Sequence, residues 1–297
     1  MLAALLTTAF FSFSIIFAQR SLTAAGQMRA NLGRLVVAVV VLGLYAHTIG
    51  TGLSSVSTSW LVVSGAVGMG LGDLALFLAL PRLGSRLSLL VTQCLAAPIA
   101  AICEWMWLGT TMAATQIAMG GVILTGVAVA FLPDRKHSVR VKLHWSGFVL
   151  GFLAAAGQGI GAIITRKANL VAFAAGEGQI DGITAAYHRI LGALVLTVLW
   201  FVLLRGRKWG RELFTAPANP RYGWVLANGL AGPVIGVSCY QWALATTPSG
   251  IVLPIVATSP LLAIPFAWWL EGDRPTVRSV LGGFVAVAGV IGLTLAH

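Results

Sequence analysis

The sequence predicts an all-α polytopic membrane protein, with ten transmembrane helices arranged as two inverted five-helix repeats. Three observations carry that expectation. Only 9% of the 297 residues are formally charged, against roughly 25% in an ordinary soluble domain. The apolar set makes up 58% before the 35 glycines are added, and mean hydropathy is +0.91. So few charges cannot cover an aqueous surface, and the exterior is expected to meet lipid. The third observation is that the glycines, prolines and tryptophans of one half recur in the other at a nearly constant offset.

A hydrocarbon core about 30 Å thick asks for roughly 20 mostly apolar residues per helical span. The first expected span, 2–18, carries no Lys or Arg before it, and the first charge is Arg20 on its far side. A cleaved signal peptide has a similar length but opens on positive charge, so a retained helix is expected. No formal charge falls between Arg34 and Asp73. The Gly, Ser and Thr residues from His47 to Ser59 divide that run into spans 33–49 and 60–80. Beyond Arg82 and Arg86 come 87–107 and 115–132. A basic linker, 133–144, leads to spans 145–165 and 187–205. From Arg221 to Glu271 the chain is again uncharged, and the turn-forming residues Thr246 to Gly250 separate 222–245 from 250–270. The last span is 277–296. The expected units are a first repeat at 1–132 and a second at 145–297, with no length left for a soluble domain.

Basic residues mark cytoplasmic loops. Sixteen lie on one side, from Arg20 and Arg29 through the 135–142 and 205–211 clusters to Arg274 and Arg278. Three lie on the other, Arg166, Lys167 and Arg189. That asymmetry puts both termini on the non-cytoplasmic side of a cytoplasmic (inner) membrane. It also explains the net charge of +11 without nucleic acid, since no basic helix with interleaved aromatics is present.

Trp60, Gly65, Gly68 and Gly72 recur 164 residues later as Trp224, Gly229, Gly232 and Gly236. Gly120 and Gly121 recur 162 residues later as Gly282 and Gly283, and Pro98 maps by that offset onto Pro260. Five is odd, so two successive copies enter the membrane from opposite faces. The resulting pseudo-two-fold axis in the membrane plane is typical of secondary transporters.

Several motifs resemble the EamA-type branch of the drug/metabolite transporter superfamily. They are an Arg early in the second helix of each repeat (Arg34, Arg189), the run from Gly68 to Asp73 before Ala79 and Leu80, and a proline-bearing fourth helix in each repeat. The closing pattern from Pro260 to Glu271, followed by Gly282, Gly283 and Gly289, is the sharpest of them. In the first repeat Gly109 stands where that pattern has its Glu, and Glu104 lies more than a turn earlier. The resemblance implies a secondary active exporter of amino acids or related small metabolites, with a central cavity lined by the first, third, fourth, sixth, eighth and ninth helices.

Candidate pathway residues follow from the cost of polar groups in lipid. Asp73 is the strongest, some thirteen residues into its span; it could serve a proton-coupled step or hydrogen-bond and pair with an Arg. Glu104 is the second proton-coupling candidate, and Glu104 and Glu271 could equally be interfacial. Arg34 and Arg189, read as helix-start cations, could snorkel or recruit an anion. Ser12, Gln93, Gln158, Tyr240 and Gln241 are neutral polar candidates. Pro98, Pro254 and Pro260 could expose backbone carbonyls to a solute or simply kink their helices. Gly68 with Gly72, and Gly232 with Gly236, are four apart and fit close helix packing. A cavity of amides, hydroxyls, aromatics and few charges suits a neutral or zwitterionic solute. The partners expected are that solute, the lipid bilayer and protons, with no nucleic acid, in a monomer or homodimer. Cys94, Cys103 and Cys239 have no paired spacing for a metal or disulfide, and the five scattered histidines offer no catalytic cluster, so neither cofactor nor enzyme activity is expected. A passive channel and a non-transporting scaffold are the alternative classes.

Overall fold

A computed structural model describes residues 1–131, 144–204, 221–271 and 276–296. Residues 133–143 of the basic linker, the 205–211 cluster and the side chain of Glu271 lie outside the described residues. The described residues are helical, without strands. In chain order they form α1 (Leu2–Ala25), α2 (Gln27–Thr48), α3 (Thr58–Gly65), α4 (Gly72–Leu108), α5 (Ala114–Phe131), α6 (Trp145–Ala174) and α7 (Gly182–Leu204). They continue as α8 (Gly223–Gly229), α9 (Val237–Thr246), α10 (Ser249–Val256), α11 (Ser259–Glu271) and α12 (Val277–Leu295). A π-helical turn, Ala66–Leu71, joins α3 to α4, and another, Leu230–Gly236, joins α8 to α9.

Among the described residues, seven segments are long and apolar enough to cross a membrane: Leu2–Ala25, Met28–Thr48, Thr58–Leu76, Ser88–Leu108, Trp145–Ala174, Gly182–Leu203 and Val277–Leu295. Two shorter apolar helices cover Ala114–Ala130 and Ser249–Pro265. The chain is a multi-pass membrane protein. The expected span at 222–245 is helical but is not among the seven, because Asn228, Ser238, Tyr240 and Gln241 lower its hydropathy.

Burial is arranged for lipid. Large apolar side chains such as Val40, Leu44, Met106, Phe173, Leu199 and Phe284 point outward, and alanines and hydroxyl residues fill the interior. Small interior residues let helices approach closely. The hydroxyls return their protons to backbone carbonyls, as Thr7 does to Ala3 at 2.8 Å and Ser64 does across helices to Gly161 at 2.6 Å.

Helix α6 shows how the third and fourth expected spans are folded. Helical conformation runs through α4 for 37 residues, so no extended loop separates those spans. Along α6, Gly147 faces Arg82 and Leu83, Gly157 faces Gly72, and Gly161 faces Gly68 and Ser64. That limb of the chain runs antiparallel to α6. Gly151 faces Val91, Gly159 faces Ala96 and Ala100, and Arg166 reaches Glu104, so the later limb runs parallel to it. The chain therefore reverses between Leu83 and Val91, with α6 lodged against both limbs.

A comparable place is taken by α1, which packs on α8, the second π-helical turn, α9 and α11. Helix α2 packs on α7 and α8, α3 packs on α6 and α7, and α5 pairs with α12. The ninth expected span is broken at Ala257 and Thr258 into α10 and α11. Pro260 has no N–H to give the Val256 carbonyl, and the Ser259 hydroxyl bonds that carbonyl instead at 2.6 Å.

Candidate functional site

A cavity of about 230 Å³ lies at the centre of the bundle, bounded by α1, α2, α4, α6, α7, α9, α10, α11 and both π-helical turns. A π-helical turn displaces the backbone from α-helical register and often marks a functional position. Here Gly68 and Met69 of the first turn, and Gly232 and Pro233 of the second, form parts of the wall.

Asp73 follows the first π-helical turn, as the second residue of α4. Its Oδ2 accepts a hydrogen bond from Arg34 Nη2 at 2.5 Å, and Arg34 Nε donates to Asn31 Oδ1 at 2.9 Å. Both charged side chains line the cavity. Neither Arg34 nor Arg189 begins its helix, which corrects the reading of both as helix-start cations. Helix α2 starts at Gln27 rather than 33, and α7 at Gly182 rather than 187. Polar and small residues occupy the added turns, and tertiary contacts hold those turns helical where an apolar-run ruler stops.

Arg189 is 4% exposed and also lines the cavity. Its guanidinium carbon lies 5.2 Å from the Tyr240 ring centroid. Nη1 makes a long contact of 3.4 Å with Thr165 Oγ1, and Nε has no hydrogen-bond partner. Glycines set this side chain in place. A Cβ at Gly65 would overlap the Arg189 carbonyl, and one at Gly68 would come 2.7 Å from Arg189 Nη2. Among the described residues the cavity wall therefore carries two cations and one anion, beside the neutral polar Thr92, Gln93, Gln158 and Ser259.

Of the candidate pathway residues, Asp73, Gln93, Gln158 and Tyr240 are brought together at this cavity. Ser12 is buried behind it and donates to the Ser259 carbonyl at 2.7 Å, tying α1 to the start of α11. Gln241 is buried without a partner for either amide atom and is not on the cavity wall. Pro98 and Pro254 line a separate apolar cleft with Trp105, Met112 and Gly120, and Pro260 lies in the first turn of α11. Gly72 packs on α6 beside Gly157, while Gly232 and Gly236 receive Ser14 and Phe11 of α1.

Glu104 is outside the cavity and 2% exposed. Its Oε1 accepts from Arg166 Nε at 3.0 Å. Its Oε2 accepts from the Ser249 N–H at 2.6 Å and from the Ser249 hydroxyl, which sets a carboxylate at the N-terminus of α10, where the helix dipole favours it. Arg166 also donates to the Leu244 carbonyl at 2.9 Å. Nearby loops are joined too: Glu177 accepts from the Ser55 hydroxyl at 2.7 Å and the Val56 N–H at 3.0 Å, and His188 Nε2 meets the Gly52 carbonyl at 2.6 Å.

Sequence reasoning missed Arg166, Thr165 and Thr92. Arg166 and Thr165 sit where the apolar run of the sixth span gives out, although α6 continues to Ala174. Thr92 carries little signal by itself, and only its spacing of one residue from Gln93 could have drawn attention to it.

A multi-pass bundle with small polar residues inside, interrupted helices and a buried charged cavity defines the class as a helical membrane transporter. The chain belongs to the EamA-like transporter family, whose model matches residues 145–295, and so to the drug/metabolite transporter superfamily. No curated protein matches it. A solved structure described as "Crystal structure of protein" shares the fold at a TM-score of 0.78 and 16% identity, with 99% of this chain and 96% of that one covered.

Proposed function

We propose that the protein is a secondary active exporter of small metabolites, such as amino acids or related compounds, working by alternating access between two inverted five-helix halves. The central cavity is the observation that carries this reading. Its wall takes π-helical turns from two segments that stand 164 residues apart in the sequence repeat. Exchange-related packing of α6 with α3 and α4, and of α1 with α8 and α11, supports the inverted arrangement. Two similar halves that swap conformations turn a cavity open to one side into one open to the other. A volume of about 230 Å³ falls below the roughly 300 Å³ at which drug-sized pockets begin, which favours a small solute.

Proton antiport is part of the proposal. Asp73 and Glu104 are the candidate carriers, and Asp73 is preferred because it is on the cavity wall while both Glu104 oxygens are held by groups outside it. A proton on Asp73 would dissolve its pair with Arg34 and change the charge that the solute meets. Both termini are proposed to face away from the cytoplasm, following the basic-residue asymmetry.

Untargeted profiling of medium from cells with and without the chain names the solute to test. Proteoliposomes loaded with it should then show saturable counterflow and accumulation driven by a pH gradient. Asp73→Asn should retain counterflow and lose the response to pH. Equilibration without counterflow would mean a passive channel, and no differential export would remove the efflux assignment.

A further inference from the structure

Among the described residues, the charges around the central cavity do not balance. Arg34 and Asp73 meet it as a hydrogen-bonded pair, and Arg189 is the remaining cation among the described residues of its wall. Asp73 acts on Arg189 electrostatically, but its carboxylate is in contact with Arg34. An uncompensated cation at membrane depth is costly. Elsewhere the chain offsets that cost directly, by placing Glu104 against Arg166.

At Arg189 the offsets are partial. The Tyr240 ring supplies a cation–π face, and the Tyr240 side chain also accepts a hydrogen bond from the guanidinium. The 3.4 Å contact with Thr165 is beyond the usual range for an N–H···O bond, and Nε has no partner. A second buried polar atom of the same wall, Thr92 Oγ1, is also without a partner. The absence of a side chain at Gly68 leaves room for the guanidinium. A planar guanidinium with an unpartnered Nε, held in place by packing, has the fork geometry that a carboxylate accepts.

We propose that Arg189 binds the carboxylate of the solute, so that the cavity takes small solutes with one carboxylate and rejects their uncharged counterparts. One spare positive charge matches a single carboxylate better than a dianion. The proposal rests on reading the central cavity as the solute site, and it narrows the sequence expectation of a neutral or zwitterionic solute to compounds that carry this group.

The test uses full-length protein in detergent and follows its thermal unfolding with ligand. The probes are monocarboxylates from acetate to 4-methylpentanoate and α-amino acids from glycine to leucine, each beside its own amide. A ligand that binds only the folded state raises the melting temperature with concentration. At least one acid should do so where its amide does not, and the pattern across the two series says whether an ammonium group is read as well. Arg189→Gln should weaken binding of that acid at least about tenfold and erase its advantage over the amide. Arg189→Lys should keep the preference with weaker binding, because the charge remains without the planar fork. If Arg189→Gln does not fold, the acid and amide comparison on the unaltered protein still decides. The proposal is overturned if no acid outperforms its amide, or if Arg189→Gln keeps the full preference. Binding through Arg189 without counterflow would remove the transport reading and leave this one, and counterflow without a preference for acids would do the reverse.

Discussion

Glu104 and Arg166 illustrate what single residues disclose in sequence and what they withhold. A carboxylate inside an apolar run is visible as an anomaly. Its partner is not, because Arg166 lies 62 positions away and one residue beyond the apolar run that marks the sixth span. A ruler based on charge treats any Arg or Lys as the end of a helix, so it moves Arg34, Arg166 and Arg189 outward together. Charges that a fold buries in pairs are therefore read as surface charges. The pair also makes a quantitative expectation possible. Removing one partner of a buried ion pair costs about 3–5 kcal/mol, because the other charge stays buried without compensation. Glu104→Gln should lower the melting temperature in detergent strongly, and Arg166→Gln should do so as well. The double substitution should recover part of the loss, since it leaves no net charge behind. If the two single effects simply add in the double variant, Glu104 and Arg166 do not act as a pair.

Elements were more legible than residues. The charge-free runs fall on helical parts of the described structure, with the ninth broken at Ala257 and Thr258, because apolar length is what a membrane demands and charge is what it forbids. Three things escaped that ruler. The reversal between Leu83 and Val91 is helical instead of a loop, and the two π-helical turns have no compositional mark beyond their glycines and Pro233. Adjacent glycines were also indistinguishable in the sequence, yet Gly282 and Gly283 have opposite surroundings. A Cβ at Gly282 would come 2.5 Å from the Gly126 carbonyl oxygen and 2.6 Å from the Ala130 nitrogen of α5, whereas one at Gly283 would meet nothing within 4 Å. Gly282→Ala should push α12 off α5 and destabilise the protein by about 1–3 kcal/mol, the usual cost of overpacking. Gly283→Ala should be neutral or stabilising by up to about 1 kcal/mol, because alanine loses less backbone entropy in a helix. Unfolding of both variants in the same detergent checks the pair, and equal destabilisation would mean that the α5–α12 contact is not a close backbone crossing.

For the whole molecule, the most informative feature of the sequence is the offset that maps one half onto the other, because it speaks of arrangement where local motifs speak only of type. It picked out Gly68 and Gly232, which both line the central cavity. It could not say which charged groups would join them, since Arg189 and Asp73 come from segments that are not equivalent by that offset. The same map singles out the contacts that must open if the halves move against each other. Ser55 and Val56, between α2 and α3, are bonded to Glu177, between α6 and α7, so first and second halves are joined there outside the cavity. If the proposed alternating access separates these two loops, the contact breaks and re-forms in every cycle, whereas in a rigid pore it stays made. With Cys94, Cys103 and Cys239 replaced by alanine, Ser55→Cys and Glu177→Cys can be bridged by a short bifunctional methanethiosulfonate. Counterflow in proteoliposomes should fall to background on bridging and return when the bridge is reduced, while either single cysteine variant treated in the same way keeps its exchange. Unchanged exchange in the bridged protein would mean that solute crosses without separation of these two loops, and a motion that parts the chain at this point would have to be abandoned.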